Sequence, residues 1–91
     1  MGWLSISESQ PVKSLRTAGH RRLIELLVQA RKRAGVTQAQ LARSLSQHQS
    51  FVSKIESGER RLDVIELMRI CRALDVSASK LVGELERYQG R

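Results

Sequence analysis

Aromatic side chains are nearly absent from this 91-residue chain, which has one Trp, one Tyr and one Phe. β-Sheet cores lean on aromatic and β-branched residues, and runs of the latter are scarce here too. Cysteine and proline each occur once. The lone cysteine, Cys71, excludes an internal disulfide framework and fits a reducing compartment. No apolar run approaches the roughly 18 residues of a membrane span. The opening MGWLSISESQ has neither the basic nor the apolar segment of a secretory signal. The expectation is a soluble, cytoplasmic protein with no membrane partner.

The most informative absence is of acid in the middle of the chain. Between Leu26 and Ile55 there is none, against five bases: Arg31, Lys32, Arg33, Arg43 and Lys54. From Leu62 to the end, five bases balance five acids. The formal net charge of +7 is therefore concentrated in the middle, as a surface built for a polyanion requires.

What the chain does have is helical periodicity. Its length allows one domain with a modest core, and the 3.6-residue recurrence of apolar residues predicts an all-α fold. Residues 1–17 lack that period and carry Ser5, Ser7, Ser9 and Pro11, so they read as an irregular N-terminal arm. In it, Trp3, Leu4 and Ile6 are available to a groove or a partner, and Lys13 and Arg16 to phosphate. Five helices are predicted over residues 18–88. The first begins between Ala18 and His20 and ends at Ala34, with Gly35 as its C′ residue. Leu23, Leu27, Ala30 and Ala34 share its buried face, widened by Leu26, and Arg31, Lys32 and Arg33 complement the negative end of its dipole. Thr37 and Gln40 match a capping box that opens the second helix, Val36 and Leu41 a hydrophobic staple. Leu41, Ala42 and Leu45 form its stripe, and the polar run Ser46 to His48 stops it.

The third helix runs from Gln49 to Ser57, with Val52 and Ile55 inward and Gly58 as the stop. Phe51 either covers the core edge or meets a thymine methyl. The outward side carries Gln49, Ser50, Ser53 and Lys54, which offer hydrogen bonds with little charge repulsion, as a surface meeting base edges should. Asp63 caps a fourth helix to Leu74 with Val64, Leu67, Met68, Cys71 and Leu74 on its apolar face, which makes Cys71 core packing. Ser77 caps a fifth over 77–88. There Leu81, Leu85 and Tyr88 recur at i, i+4 and i+7, a stripe that completes the core, pairs with a second copy, or does both. His20 and His48 have no spaced Cys or His partners for a metal. Neither a glycine-rich phosphate loop nor a nucleophile–base set is present. No enzyme activity and no cofactor are expected.

Counted from Gln38 as the first position, the small Ala42 is fifth, Ser46 ninth, Val52 fifteenth and Ile55 eighteenth. That spacing, with TQAQLA, SFVSKIESG and LMRICRALDV, resembles the Cro/C1-type (XRE) helix-turn-helix transcriptional regulators over roughly residues 20–83. The resemblance implies a compact five-helix Cro/C1-repressor-like DNA-binding domain, its helix-turn-helix at 37–57, whose third helix enters the major groove. Gln49 and Ser50 would read bases from the first turn, Gln49 suiting adenine N6 and N7, with Ser53 and Lys54 one turn on. Gln38 matches a phosphate-clamping position, and Arg43, Ser57, Arg60 and Arg61 would contact the DNA backbone. Arg31 and Glu56 match an internal salt bridge. The sequence departs from the family in three places: Ser46 replaces the usual glycine, His48 a Ser or Thr cap, and Leu62 a frequent proline. The expected function is a sequence-specific double-stranded DNA-binding regulator, a repressor acting as a homodimer on a pseudo-palindromic operator. The alternative is an antitoxin-like or adaptor protein-interaction module, carried by the arm and by Leu81, Leu85 and Tyr88, with DNA binding secondary.

Overall fold

Thr17 opens the part of the chain described by the computed structural model, residues 17–89; the arm expected over residues 1–17 otherwise lies outside it. The Thr17 hydroxyl accepts from His20 N at 3.0 Å and caps α1 (Ala18–Arg33). The helix is rich in strong helix formers and closes with Ala34 as C-cap. Gly35 follows at φ 73, a left-handed conformation that glycine adopts without steric cost. The predicted capping box of the second helix is complete, and the Asp63 cap of the fourth is a capping box as well. In α2 (Gln38–Ser44), Gln40 N donates to Thr37 Oγ1 at 3.0 Å and Thr37 N to Gln40 Oε1 at 2.8 Å. In α4 (Val64–Ala73), Glu66 N donates to Asp63 Oδ1 at 2.7 Å and Asp63 N to Glu66 Oε1 at 3.0 Å. Between α2 and α4 lies α3 (Gln49–Glu56), ended by Ser57 and by Gly58 at φ 83. α5 (Ala78–Gln89) starts with Lys80 N donating to Ser77 Oγ at 3.2 Å.

At seven residues, α2 is too short to persist alone. It is held by Leu41 and Ala42, 3% and 2% exposed, where it packs on α3. The turn joining the two helices places Ser46 at φ 57, left-handed at a position without glycine, at a cost of about 1 kcal/mol or more. Backbone bonds over-determine it: Ser46 N donates to Arg43 O at 3.0 Å and Gln47 N to Ala42 O at 2.9 Å. Arg69 on α4 adds an Nη2 bond to Leu45 O at 3.3 Å. The serine thus adopts the backbone that glycine usually supplies there.

Val52 and Cys71 are the most deeply buried large side chains, inside a core of α1, α2, α3, α4 and α5 residues. Burial pushes the Cys71 thiol above its ordinary pKa, as for a packing residue. Two apolar faces, those of α4 and α1, differ from expectation. On α4 the buried stripe is Leu67, Ile70, Cys71 and Leu74, while Val64 and Met68 stand exposed at 68% and 50%. The reason is tertiary: neighbours cover the 67–70–71–74 side of α4, and among the described residues the other side stays exposed. On α1, Ile24 is buried, Leu23 is half-buried, and Ala34 is exposed because it lies past the last turn. On α5, Leu81 belongs to the protomer's own core, Leu85 packs half-buried against it, and only Tyr88 of that trio is exposed. Of the roles expected for the stripe, Leu81 takes the core-completing one. Among the described residues, no helix is long and apolar enough to cross a membrane.

Candidate nucleic-acid interface

The outward face of α3 presents Gln49, Ser50 and Lys54, all exposed, with Ser53 half-buried beside them. Ser53 Oγ donates to Ser50 O at 3.2 Å, so its lone pairs face outward and its proton is engaged. His48 stands at the N-cap without a side-chain cap bond. The His48 side chain thus leaves the start of α3 uncapped, while Phe51 N donates to His48 O at 3.0 Å. Lys54, and Arg43 in the last turn of α2, are exposed, and neither has an ion-pair partner among the described residues.

Behind this face runs a chain of side-chain hydrogen bonds. Arg31 Nε donates to Glu56 Oε2 at 2.6 Å and Nη2 to Glu56 Oε1 at 3.1 Å, while Nη1 donates to Val36 O at 2.8 Å. Gln38 Nε2 donates to the same Glu56 Oε1 at 2.8 Å, and Gln49 Nε2 donates to Gln38 Oε1 at a longer 3.4 Å. The chemistry sets every orientation. An ionised carboxylate only accepts, so the Gln38 amide must turn its nitrogen to Glu56 and its oxygen to Gln49. Gln49 must then turn its nitrogen to Gln38, with its second N–H and its carbonyl oxygen left over. Those two groups are what adenine N7 and N6 require. Gln38 is thus tied inward by its amide at the N-terminus of α2.

The four cationic and hydroxyl positions expected on the DNA backbone divide. Arg43 and Arg61 are exposed. Ser57 Oγ is engaged close to the chain, 3.2 Å from Lys54 O and 2.9 Å from Glu59 Oε2. Arg60 is turned away from a backbone role. Its guanidinium donates to Glu66 Oε1 and Oε2 at 3.0 and 2.9 Å and to Arg61 O at 2.7 Å, and it lies over the Phe51 ring at 4.6 Å. Phe51 is accordingly half-buried, packed against the core edge under Arg60. This clamp joins α3, the following loop and α4, and periodicity gave no sign of it. The one local signal was Glu66, already present in the Asp63 capping box.

The clamp has a pH signature. Hydrogen bonds from Arg60, then from the Asp63 backbone, hold the Glu66 carboxyl below the usual carboxylate range. A depressed carboxylate contributes its stability in full above the ordinary value of about 4.3, and loses it as pH falls through the lower folded value. Glu66→Gln is expected to flatten that acid limb of thermal stability, by at most about 1 kcal/mol because the pair is partly exposed. Melting curves across the acid range check it; an unchanged acid limb would mean the clamp is solvated away.

His20 Nε2 is buried without a partner, and burial, then the charge of Arg61, lowers its pKa. Among the described residues, no three His, Cys, Asp or Glu side chains gather to hold a metal.

The helix-turn-helix family (HTH_3) matches residues 27–81 of the chain. A solved XRE-family like protein from Pseudomonas syringae pv. tomato is 45% identical, with a TM-score of 0.78 over 88% of this chain and 98% of that one. The clp gene regulator ClgR of Corynebacterium glutamicum is 25% identical, with a TM-score of 0.68 over 76% of this chain and 88% of its own. A point mutant of the restriction–modification controller protein C.Esp1396I, 23% identical, shares the fold at a TM-score of 0.72, over 82% of this chain and 100% of that one. No curated protein matches the chain. With five helices, an exposed polar α3 and these relatives, the chain belongs to the XRE family of helix-turn-helix proteins, DNA-binding regulators of transcription.

Proposed function

We propose that the chain is a repressor that binds a pseudo-palindromic operator as a homodimer, one α3 per half-site, with half-sites about one helical turn apart. Gln49, Ser50, Ser53 and Lys54 read base edges, and Arg43, Lys54 and Arg61 supply phosphate contacts that carry much of the affinity. Occupying the operator is the simplest mechanism of repression. The observation that carries this reading is the held carboxamide of Gln49. It is exposed on an acid-free outer face, yet connected through Gln38 and Glu56 to Arg31. A group that is both exposed and oriented is what direct readout needs. Glu56 serves that arrangement from within and makes no base contact.

Selecting bound sites from a random double-stranded pool tests the reading and should return two inverted half-sites with an adenine at one fixed position in each. Gln49→Ala is then expected to cost about 1–3 kcal/mol at that position and to relax the preference there alone. Equal weakening on all sequences would make Gln49 a backbone contact. If the wild-type chain recovers no site and binds no duplex at low salt, DNA reading is wrong.

A further inference from the structure

The side of α4 left uncovered among the described residues is apolar. Val64, Ile65 and Met68 are 68%, 65% and 50% exposed, and Val82 on α5 is 42% exposed. Met68 also lines the groove between α4 and α5, together with Arg72 and with Ala78 one turn before Val82. These side chains form a patch on the order of a few hundred Å², the size that marks an interaction site on a small protein. The opposite flank of α4 is closed within the chain by the Arg60–Glu66 clamp and by the Arg69 bond to Leu45 O.

We propose that this face receives a second copy of the chain, with the two α4 helices crossing antiparallel at Met68. The inference rests on the homodimer reading above and gives it a surface in place of the Leu81, Leu85 and Tyr88 stripe. Charge complementarity argues for a copy over a foreign partner. A two-fold axis at Met68 faces each position after it with the partner's position an equal distance before it. Arg72, four residues after Met68, then meets the partner's Val64 and lies next to the partner's Asp63. Arg72 is exposed and has no anionic partner among the described residues. Asp63 is also exposed, and its cap bond uses Oδ1. Each copy thus offers a cation at one end of the stripe, an anion at the other, and Val64, Ile65 and Met68 between them. Antiparallel packing also sets the helix dipoles head to tail. The surface suits the reading function as well. Only residues 57–63 separate α3 from α4, and Arg60 pins that link. A partner held on α4 therefore carries its own α3 at a set distance and angle.

The test uses the full chain without DNA. Light scattering should give twice the 10.3 kDa chain mass for wild type and the single-chain mass for Met68→Asp, with helicity by circular dichroism unchanged because Met68 is half-exposed. Met68→Cys should form an interchain disulfide under mild oxidation, since residue 68 meets its own copy at the axis. Tyr88→Cys should not, because Tyr88 lies about 120° round α5 from Val82. The native Cys71 is buried and silent. A wild-type monomer at every concentration, a persistent Met68→Asp dimer, or preferential Tyr88→Cys cross-linking would overturn the proposal. Any of these leaves base reading by α3 standing, whereas a Met68 dimer that binds no duplex would remove the DNA reading and keep the interface.

Discussion

Glu56→Ala is expected to lower the thermal midpoint of the chain by roughly 10–20 °C, from a loss of about 3 kcal/mol in a domain of this length. Arg31 and Glu56 are 12% and 10% exposed at their side chains and meet through two bonds. Removing the carboxylate strands a nearly buried guanidinium and also takes the acceptor from Gln38. The unpaired charge is the larger part, because breaking one side of a buried pair costs far more than the pair contributes. The double variant Arg31→Met with Glu56→Leu should therefore recover most of the lost stability. It should not recover selectivity at the position Gln49 reads: Gln38 would have no carboxylate to turn its amide, and Gln49 would lose the bond that orients it. A folded double variant that binds the operator but has lost the base preference at that one position is the expected result. A midpoint shift of only a few degrees for Glu56→Ala would show that water already screens the pair, and the relay would lose its anchor.

The parts of this molecule legible from sequence are those written in local chemistry. A capping box needs two residues three apart, so Thr37 with Gln40 and Asp63 with Glu66 announce α2 and α4 without any knowledge of their neighbours. Gly35 and Gly58 mark helix ends for the same reason. Ser46 shows the limit of that logic. Only its register within the motif points to a left-handed turn, because serine has no preference for one. Asp75, also left-handed at φ 58, carries no such register and went unread. The buried side of α4 was illegible for a different reason. Val64, Leu67, Met68, Cys71 and Leu74 make an equally good helical stripe, and which half is covered depends on where α2 and α5 lie. Long side chains escape periodicity altogether. Nothing in the spacing of Arg60 distinguishes a hand reaching for phosphate from one closed on Glu66 and stacked on Phe51.

That distinction governs how binding should respond to salt. In the proposed homodimer, Arg43, Lys54 and Arg61 of each copy would give six phosphate contacts, with Arg60 held by Glu66. Six contacts give a slope of about −5 for log affinity against log salt, so operator affinity should fall by about 10³-fold between 50 and 200 mM. Binding isotherms on the selected operator measure it. Lys54→Ala should make the slope shallower by about 2, one contact from each copy. Arg60→Ala should leave the slope nearly unchanged, because its charge is already met by Glu66, and should instead show as lower thermal stability. If Arg60→Ala flattens the slope as much as Lys54→Ala does, the clamp opens on binding, and Arg60 exchanges Glu66 for phosphate. The link between α3 and α4 would then loosen at the moment DNA is engaged, and half-site spacing would become tolerant rather than fixed. A slope near zero in the wild-type chain would remove phosphate contact as the source of affinity and leave the acid-free middle of the sequence without its function.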